Sequence, residues 1–337
     1  MTTAPTTPAA PDEKDPKAPA RLSWGLLPLA REAAARWPIL QGARLRHFTE
    51  GENVTWRATT PDGARYALRL YRPGRWDDEA IRAEHLLMGA LSQEVAGIPA
   101  PIPAADGHTL QVLGGGGRSA LFPWSPGRSL HKTLKPRHVR QVGALLAHMH
   151  AAARKLPPGL PRPSWTPETT LGEALRLTRA HWDAWITGDP HELDALVERT
   201  WRRWERLAPP TALMHADLHF GNLLYPVNQP DALPFPIDFD DCGLGPLPLD
   251  LAVPACHLTA RPHLWPDLLG GYNALAQDPC DREALLTFMI VRHVQMIGWL
   301  FERTEILTPT DLRRILVNNR NHARRVEALL QAPNLGL

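Results

Sequence analysis

Cysteine is scarce in this chain of 337 residues, and an excess of one charge, a long apolar run and a leader-like N-terminus are all missing. Cys242, Cys256 and Cys280 are odd in number, far apart and without a CxxC spacing, which excludes a disulfide framework or a zinc knuckle. A reducing cytoplasm is the expected compartment. The 37 lysines and arginines nearly cancel the 35 aspartates and glutamates, leaving +2, so composition provides neither a surface for nucleic acid nor an acidic tail. The longest apolar runs, such as residues 285–291, are far too short to cross a bilayer, and no membrane contact is expected. The opening MTTAPTTPAAPDEKDPKAPA lacks a basic start followed by an apolar stretch, so it reads as neither signal peptide nor anchor. Its Pro, Ala and Thr bias predicts a disordered tail over 1–20. No internal repeat with a period of twenty to fifty residues stands out.

What remains is an ordinary globular composition, 44% hydrophobic and 21% charged, on a chain long enough for two lobes with separate cores. Apolar residues recur at helical spacing over 22–38. The period then changes. Residues 43–49, 55–60 and 65–71 are strand-like, and Pro61-Asp62-Gly63 turns the last two into an antiparallel hairpin. Residues 77–91 return to helical spacing, with Ile81, Leu86, Leu87 and Ala90 expected on one side and acids at the N-terminus. Strand candidates at 109–113 and 119–122 flank a run of four glycines. After residue 124 the pattern becomes helical, at roughly 136–154, 168–186, 191–207 and beyond 246, with one short β-rich island inside it. The expected fold class is α+β: a small antiparallel-sheet N-lobe with one helix over 21–124, and a larger, mainly helical C-lobe over 125–332.

The island holds the chemistry. His215 to Asn222 reads HADLHFGN, with Asp217 and Asn222 five apart, and Pro236 to Asp241 reads PIDFDD. In a phosphotransferase loop the first spacing lets a carboxylate accept the proton of an attacking hydroxyl while an amide oxygen meets a magnesium ion beside the phosphates. A polar loop around a buried histidine is the plain alternative. PIDFDD follows at hairpin distance, and Asp238, between Ile237 and Phe239, is expected at the end of a buried strand, where a carboxylate is costly without a cation. Asp240 and Asp241 better suit an exposed acidic turn. Asp250 in PLDLA is either a first-turn acid or a support for the catalytic loop. In the N-terminal half, Gly51 and Asn53 lie where a nucleotide-covering loop would sit, though a simple turn explains them equally well. Arg69 is placed to clamp phosphates with Glu84 as its partner, or else to form a surface pair. GGGGRS lacks the Gly-Lys-Ser/Thr that opens a helix in a P-loop, so it reads as a hairpin turn. His215 and His219, four apart, would suit zinc only on a helix and with a third ligand.

Taken together, HADLHFGN, IDFDD and PLDLA resemble the aminoglycoside phosphotransferase and choline kinase family, which has a bilobal protein-kinase-like fold. The resemblance runs from about Arg44 to about Arg325. ALRLYRPGRW followed by AEH, together with IVRHVQMIGWLFER, looks most like the subgroup that includes bacterial stress-response kinase A, with homoserine kinase and other small-molecule kinases more distant. It implies ATP and magnesium as cofactors, Asp217 as catalytic base, and Asn222 and Asp238 as metal ligands. His215, Asp240 and Asp250 would support them. It also implies Arg69 where the family commonly has a nucleotide-binding lysine, and a hinge at Phe122 to Trp124 beside the adenine. The expected activity is transfer of a γ-phosphoryl group to a hydroxyl of a small molecule or a protein. Alternatives are a nucleotide-binding pseudokinase, which the arginine at position 69 favours, and a metal-dependent hydrolase using His215 and His219. Trp182, His293, Trp299 and Glu302 are candidates for the acceptor pocket and suit core or surface positions equally well.

Overall fold

The structure, a computed structural model, describes residues 26–130, 133–157, 159–185, 190–227, 229–301 and 309–332. The expected tail and Glu302 lie outside these residues, as does the side chain of Trp182. The chain divides into two compact units, Met1–Arg75 with Pro103–Leu121, and Trp76–Ile102 with Phe122–Leu337. The helix inserted after the hairpin thus groups with the second.

In the first unit, α1 (Leu27–Ala34) buries Ala30 and Ala33. Strands β1 (Arg44–Glu50), β2 (Val54–Thr59) and β3 (Arg65–Tyr71) pair antiparallel in sequence. Alternation decides which side faces inward: Trp56, Ala58, Leu68 and Leu70 are buried, while Arg69 is half-buried between the last two. The β2–β3 turn closes as the sequence predicts, with Gly63 at φ +90° and the Thr60 N–H donating to Ala64 O at 3.0 Å. Strands β4 (Gln111–Val112) and β5 (Arg118–Pro123) complete a sheet ordered β1-β2-β3-β5-β4. The glycine run turns between them and is followed by a strand, not by the helix a P-loop needs.

The second unit begins with α2 (Asp78–Glu94), capped by the Asp77 carboxylate, which accepts from the Ala80 N–H at 2.8 Å. Its inward face carries Ile81, Glu84, Leu87, Met88 and Leu91. Leu86, expected with them, is exposed instead, because a residue five positions after Ile81 falls well off that face. Then follow α3 (Pro136–Ala153), α4 (Glu173–Trp185), α5 (Pro190–Leu207), β6 (Thr211–Met214), β7 (Leu223–Leu224), β8 (Phe235–Pro236) and β9 (Gly243–Pro246). The chain closes with α6 (Leu247–His257), α7 (Trp265–Asn273), α8 (Arg282–Phe301) and α9 (Pro309–Gln331). The β-rich island is two antiparallel ribbons, β6–β9 and β7–β8. Helix α8 is long and apolar enough to cross a membrane, a length the polar Arg292, His293 and Gln295 hide in a search for unbroken runs. Most of it is buried inside the protein, as in a core helix. Helices α3 and α7 cross closely at Gly143 and Gly271, where a Cβ on Gly271 would lie 2.1 Å from Arg140 O. That approach brings a residue of each helix into the site.

Candidate active site

The loop between β6 and β7 is held from below by one carboxylate. Asp250, in the first turn of α6 and wholly buried, accepts from the His215 N–H at 3.0 Å and from the Ala216 N–H at 2.8 Å. Its Oδ2 also meets His150 Nε2 at 3.1 Å, and His150 Nδ1 meets the Tyr272 hydroxyl at 3.0 Å. Burial alone would raise the Asp250 carboxyl. The bond and charge of His150, with His215, outweigh it and hold the group below the usual carboxylate range. The open question about Asp250 thus resolves toward support of the loop, and the reason is local strain. Ala216 adopts φ +66°, a left-handed conformation that costs a residue with a Cβ about 1–2 kcal/mol. Asp250 bonds the N–H of that residue and of the one before it.

His215 performs a second fastening. Its Nδ1 accepts from the Asp217 N–H at 3.3 Å and its Nε2 faces Ile237 O at 3.1 Å, which assigns the neutral Nε2–H tautomer. The ring packs on Phe239, with centroids 4.5 Å apart. One imidazole therefore ties the catalytic loop to the segment that carries Asp238. Both of its nitrogens are used, so none is left for zinc. His219 spends Nδ1 on the Gly221 N–H at 2.9 Å, capping the turn Phe220–Asn222. Among the described residues no group of three His, Cys, Asp or Glu is arranged to hold a metal by itself.

Asn222 is buried, and its Nδ2 donates to Asp217 O at 3.0 Å. The Ile237 N–H donates to Asn222 O at 3.0 Å, extending the β7–β8 register by one step. Asp238 thus stands one residue beyond a direct link to Asn222. It is half-buried with φ +66°, in a left-handed bend after β8 and not within a strand as expected. An amide oxygen and a carboxylate brought together in this way are hard oxygen donors. They fit magnesium, which takes a few protein ligands and completes its shell with phosphates and water.

Asp240 is a correction. Expected in an exposed turn, it is only 3% exposed. The cause is Arg162, a buried guanidinium that donates to Cys242 O at 2.7 Å, to Asp240 O and to Ala80 O at 3.2 Å, while lying 4.5 Å above the Trp76 ring. Arg162 therefore draws the segment after Asp238 inward and ties it to α2, the helix that carries the fully buried Glu84. Phe122 is buried edge-on against His85 of that helix, with centroids 5.8 Å apart, and Trp124 is half-buried.

Asp217 itself is 23% exposed, and its Oδ1 accepts from Arg292 of α8. In the first unit, Asn53 Oδ1 accepts from the Arg72 N–H at 3.0 Å, and Glu52 pairs with Arg75 at 3.0 Å. Gly51 needs no special backbone, and a Cβ there would meet nothing within 4 Å. Arg69 lies 5.8 Å from the Tyr71 ring centroid.

The family model described as "Phosphotransferase enzyme family" matches residues 45–285. The chain belongs to that family. It is similar to the serine/threonine protein kinase RdoA of Salmonella typhimurium, 28% identical over 219 residues, which is 63% of each chain; the match thus spans under two thirds of that relative. Among solved structures it is similar to a microcompartment-associated aminopropanol kinase, at TM-score 0.75 and 22% identity, covering 92% of this chain and 99% of that one. It is also similar to amicoumacin kinase hAmiN in complex with AMP-PNP, Ca2+ and Ami, at TM-score 0.70 and 20% identity, covering 88% and 92%. These likenesses are of fold, the protein-kinase-like one. In this family member several residues of the site lie outside HADLHFGN, PIDFDD and PLDLA: His150, Tyr272, Arg162 and Arg292. Arg292 alone left a trace, as a cation near the start of the mostly apolar segment IVRHVQMIGWLFER. Its neighbour His293, open between pocket, core and surface in the sequence, packs toward α9, with Nδ1 3.0 Å from Asn319 Oδ1 and its ring edge-on to His322. That environment is core packing, not a pocket wall.

Proposed function

We propose that the chain is an ATP-dependent kinase of the cytoplasm that transfers the γ-phosphoryl group to a hydroxyl, with Asp217 as the base. The observation that carries this reading is the hydrogen-bonded link from Asp217 through Asn222, on the loop that Asp250 anchors, to the neighbouring segment of Ile237 and Asp238. With Oδ1 engaged by Arg292, Oδ2 of Asp217 is the oxygen that takes the acceptor's proton. Asn222, its Nδ2 committed to Asp217, offers Oδ1, and Asp238 offers its carboxylate, to hold magnesium. When bound, the metal neutralises charge on the nucleotide phosphates. The remaining residues bind and orient. In the first unit Arg69 is the cation for the α/β-phosphates, and Gly51 and Asn53 the residues that cover the nucleotide; in the second, Phe122 and Trp124 are the residues for the adenine. The relatives' names divide between protein and small-molecule acceptors, so both classes belong to the reading.

The test is binding of ATP to Asp238→Ala with and without magnesium. Affinity for the magnesium complex should fall at least tenfold, roughly one charged ligand's worth, while metal-free ATP binds nearly as before. Equal weakening of both would give Asp238 a structural role. Arg69 favours a second reading, a nucleotide-binding pseudokinase, since a guanidinium fork is not equivalent to an ammonium. Labelled ATP and magnesium, offered with protein and small-molecule panels, separates the two: the pseudokinase binds nucleotide and labels nothing.

A further inference from the structure

The carboxylate proposed as the base is already held by a cation. Arg292 Nη2 donates to Asp217 Oδ1, and Nη1 of the same guanidinium donates to Gln295 Oε1 at 3.1 Å. The guanidinium is recessed, 13% exposed, on a helix that is mostly core. Two imidazoles stand beside the pair. His219 Nε2 is 3.7 Å from Asp217 Oδ2, and His257 lies 5.2 Å from His219 between ring centroids. Burial, followed by the charges of His219 and Arg292, pushes His257 down to about 4, and burial also lowers His219. The cation hydrogen-bonded to Asp217 is Arg292.

A hydroxyl served by Asp217 must approach its carboxylate to about 3 Å. Arg292, on the other oxygen of the same carboxylate, and Gln295 beside it are then within reach of a group one or two bonds from that hydroxyl. An ammonium-bearing alcohol would meet a cation there. A carboxylate-bearing alcohol would meet a guanidinium that already holds a carboxylate and has five N–H donors, enough to hold two acceptors on different edges.

We infer that the phosphoryl acceptor is a small alcohol with a carboxylate close to its hydroxyl, and that Arg292, assisted by Gln295, binds that carboxylate. The inference rests on the kinase reading of the site. A carboxylate fits better than a phosphate because it brings the smaller negative charge to a guanidinium that Asp217 already shares, and its two oxygens match the N–H edge that Asp217 leaves open. A slender molecule fits better than a protein side chain because the guanidinium is recessed. By bridging Asp217 and the acceptor, Arg292 would also set the hydroxyl on the base, so it contributes to orientation as well as choice.

The experiment measures transfer from labelled ATP and magnesium to β-hydroxypropionate and γ-hydroxybutyrate, to their primary amides, and to amino alcohols of the same lengths. Magnesium-ATP binding is measured in parallel. For the better chain length, kcat/KM for the carboxylate should exceed that for the amide by on the order of 10- to 100-fold, the worth of a charge-assisted bond, and that for the amino alcohol by more. Arg292→Gln should collapse the ratio toward one, and Arg292→Lys should keep part of it. An amide or amino alcohol used as well as the carboxylate overturns the inference, and so does an equal loss on all three in Arg292→Gln, which would make Arg292 only a tether of Asp217. Magnesium-ATP binding with no transfer to a carboxylate also overturns it but leaves the nucleotide site standing. Absence of magnesium-ATP binding overturns the kinase reading itself. The ratio in the unaltered protein decides the matter even if a variant fails to fold.

Discussion

Two loops carry candidate site residues, 50–53 in the first unit and 215–222 in the second, and they are held by opposite means. The first is fastened by partly exposed groups of its own neighbourhood: Asn53 to the Arg72 backbone, and Glu52 to Arg75 and Arg72 at 3.0 and 3.7 Å. Such surface pairs contribute about 0–1 kcal/mol and are screened by salt. The second is fastened by buried groups from α3, α6 and α7 that meet at Asp250. A loop held by exposed pairs is free to readjust around a nucleotide, whereas a loop with a strained Ala216 needs a fixed support to keep Asp217 in place. Preorganisation is concentrated on the loop that carries Asp217, where the proposed function puts the proton transfer.

The largest break in this contrast should come from Asp250→Ala. It strips two N–H groups and His150 of a buried partner, so stability should fall by about 3–5 kcal/mol in chemical denaturation, and turnover with it. A loss below about 1 kcal/mol would mean the loop is held elsewhere. Asp217→Asn should leave the support and the nucleotide affinity intact while turnover drops roughly 10²–10⁴-fold. Near-normal turnover would remove Asp217 from the mechanism.

Acid sharpens the comparison. Burial holds His293 down at about 4, so the unfolded chain binds its proton near pH 6.5 while the folded protein resists it. Stability from this residue is therefore complete above about pH 6.5 and is lost as pH falls toward 4, by up to about 3 kcal/mol. Asp250 is depressed instead, and its contribution persists until pH falls below the ordinary carboxylate range. Melting temperature against pH should accordingly flatten between pH 6.5 and 4 in His293→Gln, with no change in the lower window. An unchanged slope would show that the loss belongs to other groups. The smallest effect is expected for Glu52→Gln, about 1 kcal/mol in stability and smaller at high salt, because the pairs it weakens with Arg75 and Arg72 are partly open to solvent. A cost comparable to that of Asp250→Ala would erase the distinction between the loops.

Much of this was legible in the sequence where the signal is local. Strand β3 was read with its actual ends, the Pro61-Asp62-Gly63 turn falls where its turn chemistry puts it, and a short hairpin, β7–β8, separates the two motifs as their distance suggested. Where a residue's environment is set from a distance, the reading failed. Leu86 followed an apolar pattern that tolerated a phase error, and Asp240 looked like a solvated acid because nothing adjacent reveals Arg162. For His293 the sequence left pocket, core and surface equally open, and packing against α9 decided for the core.

By itself, then, the sequence determined the α+β class, the order of the elements and the cluster of oxygen donors on two neighbouring loops, since each follows from side-chain period or from spacings of a few residues. The tertiary structure alone decided what supports that cluster and what faces it. His150 reaches Asp250 across 100 residues of chain and Arg292 reaches Asp217 across 75. Hydrogen bonds of that range depend on how helices pack, as where Gly143 and Gly271 let α3 and α7 approach, and packing leaves no periodic mark on the residues it brings together.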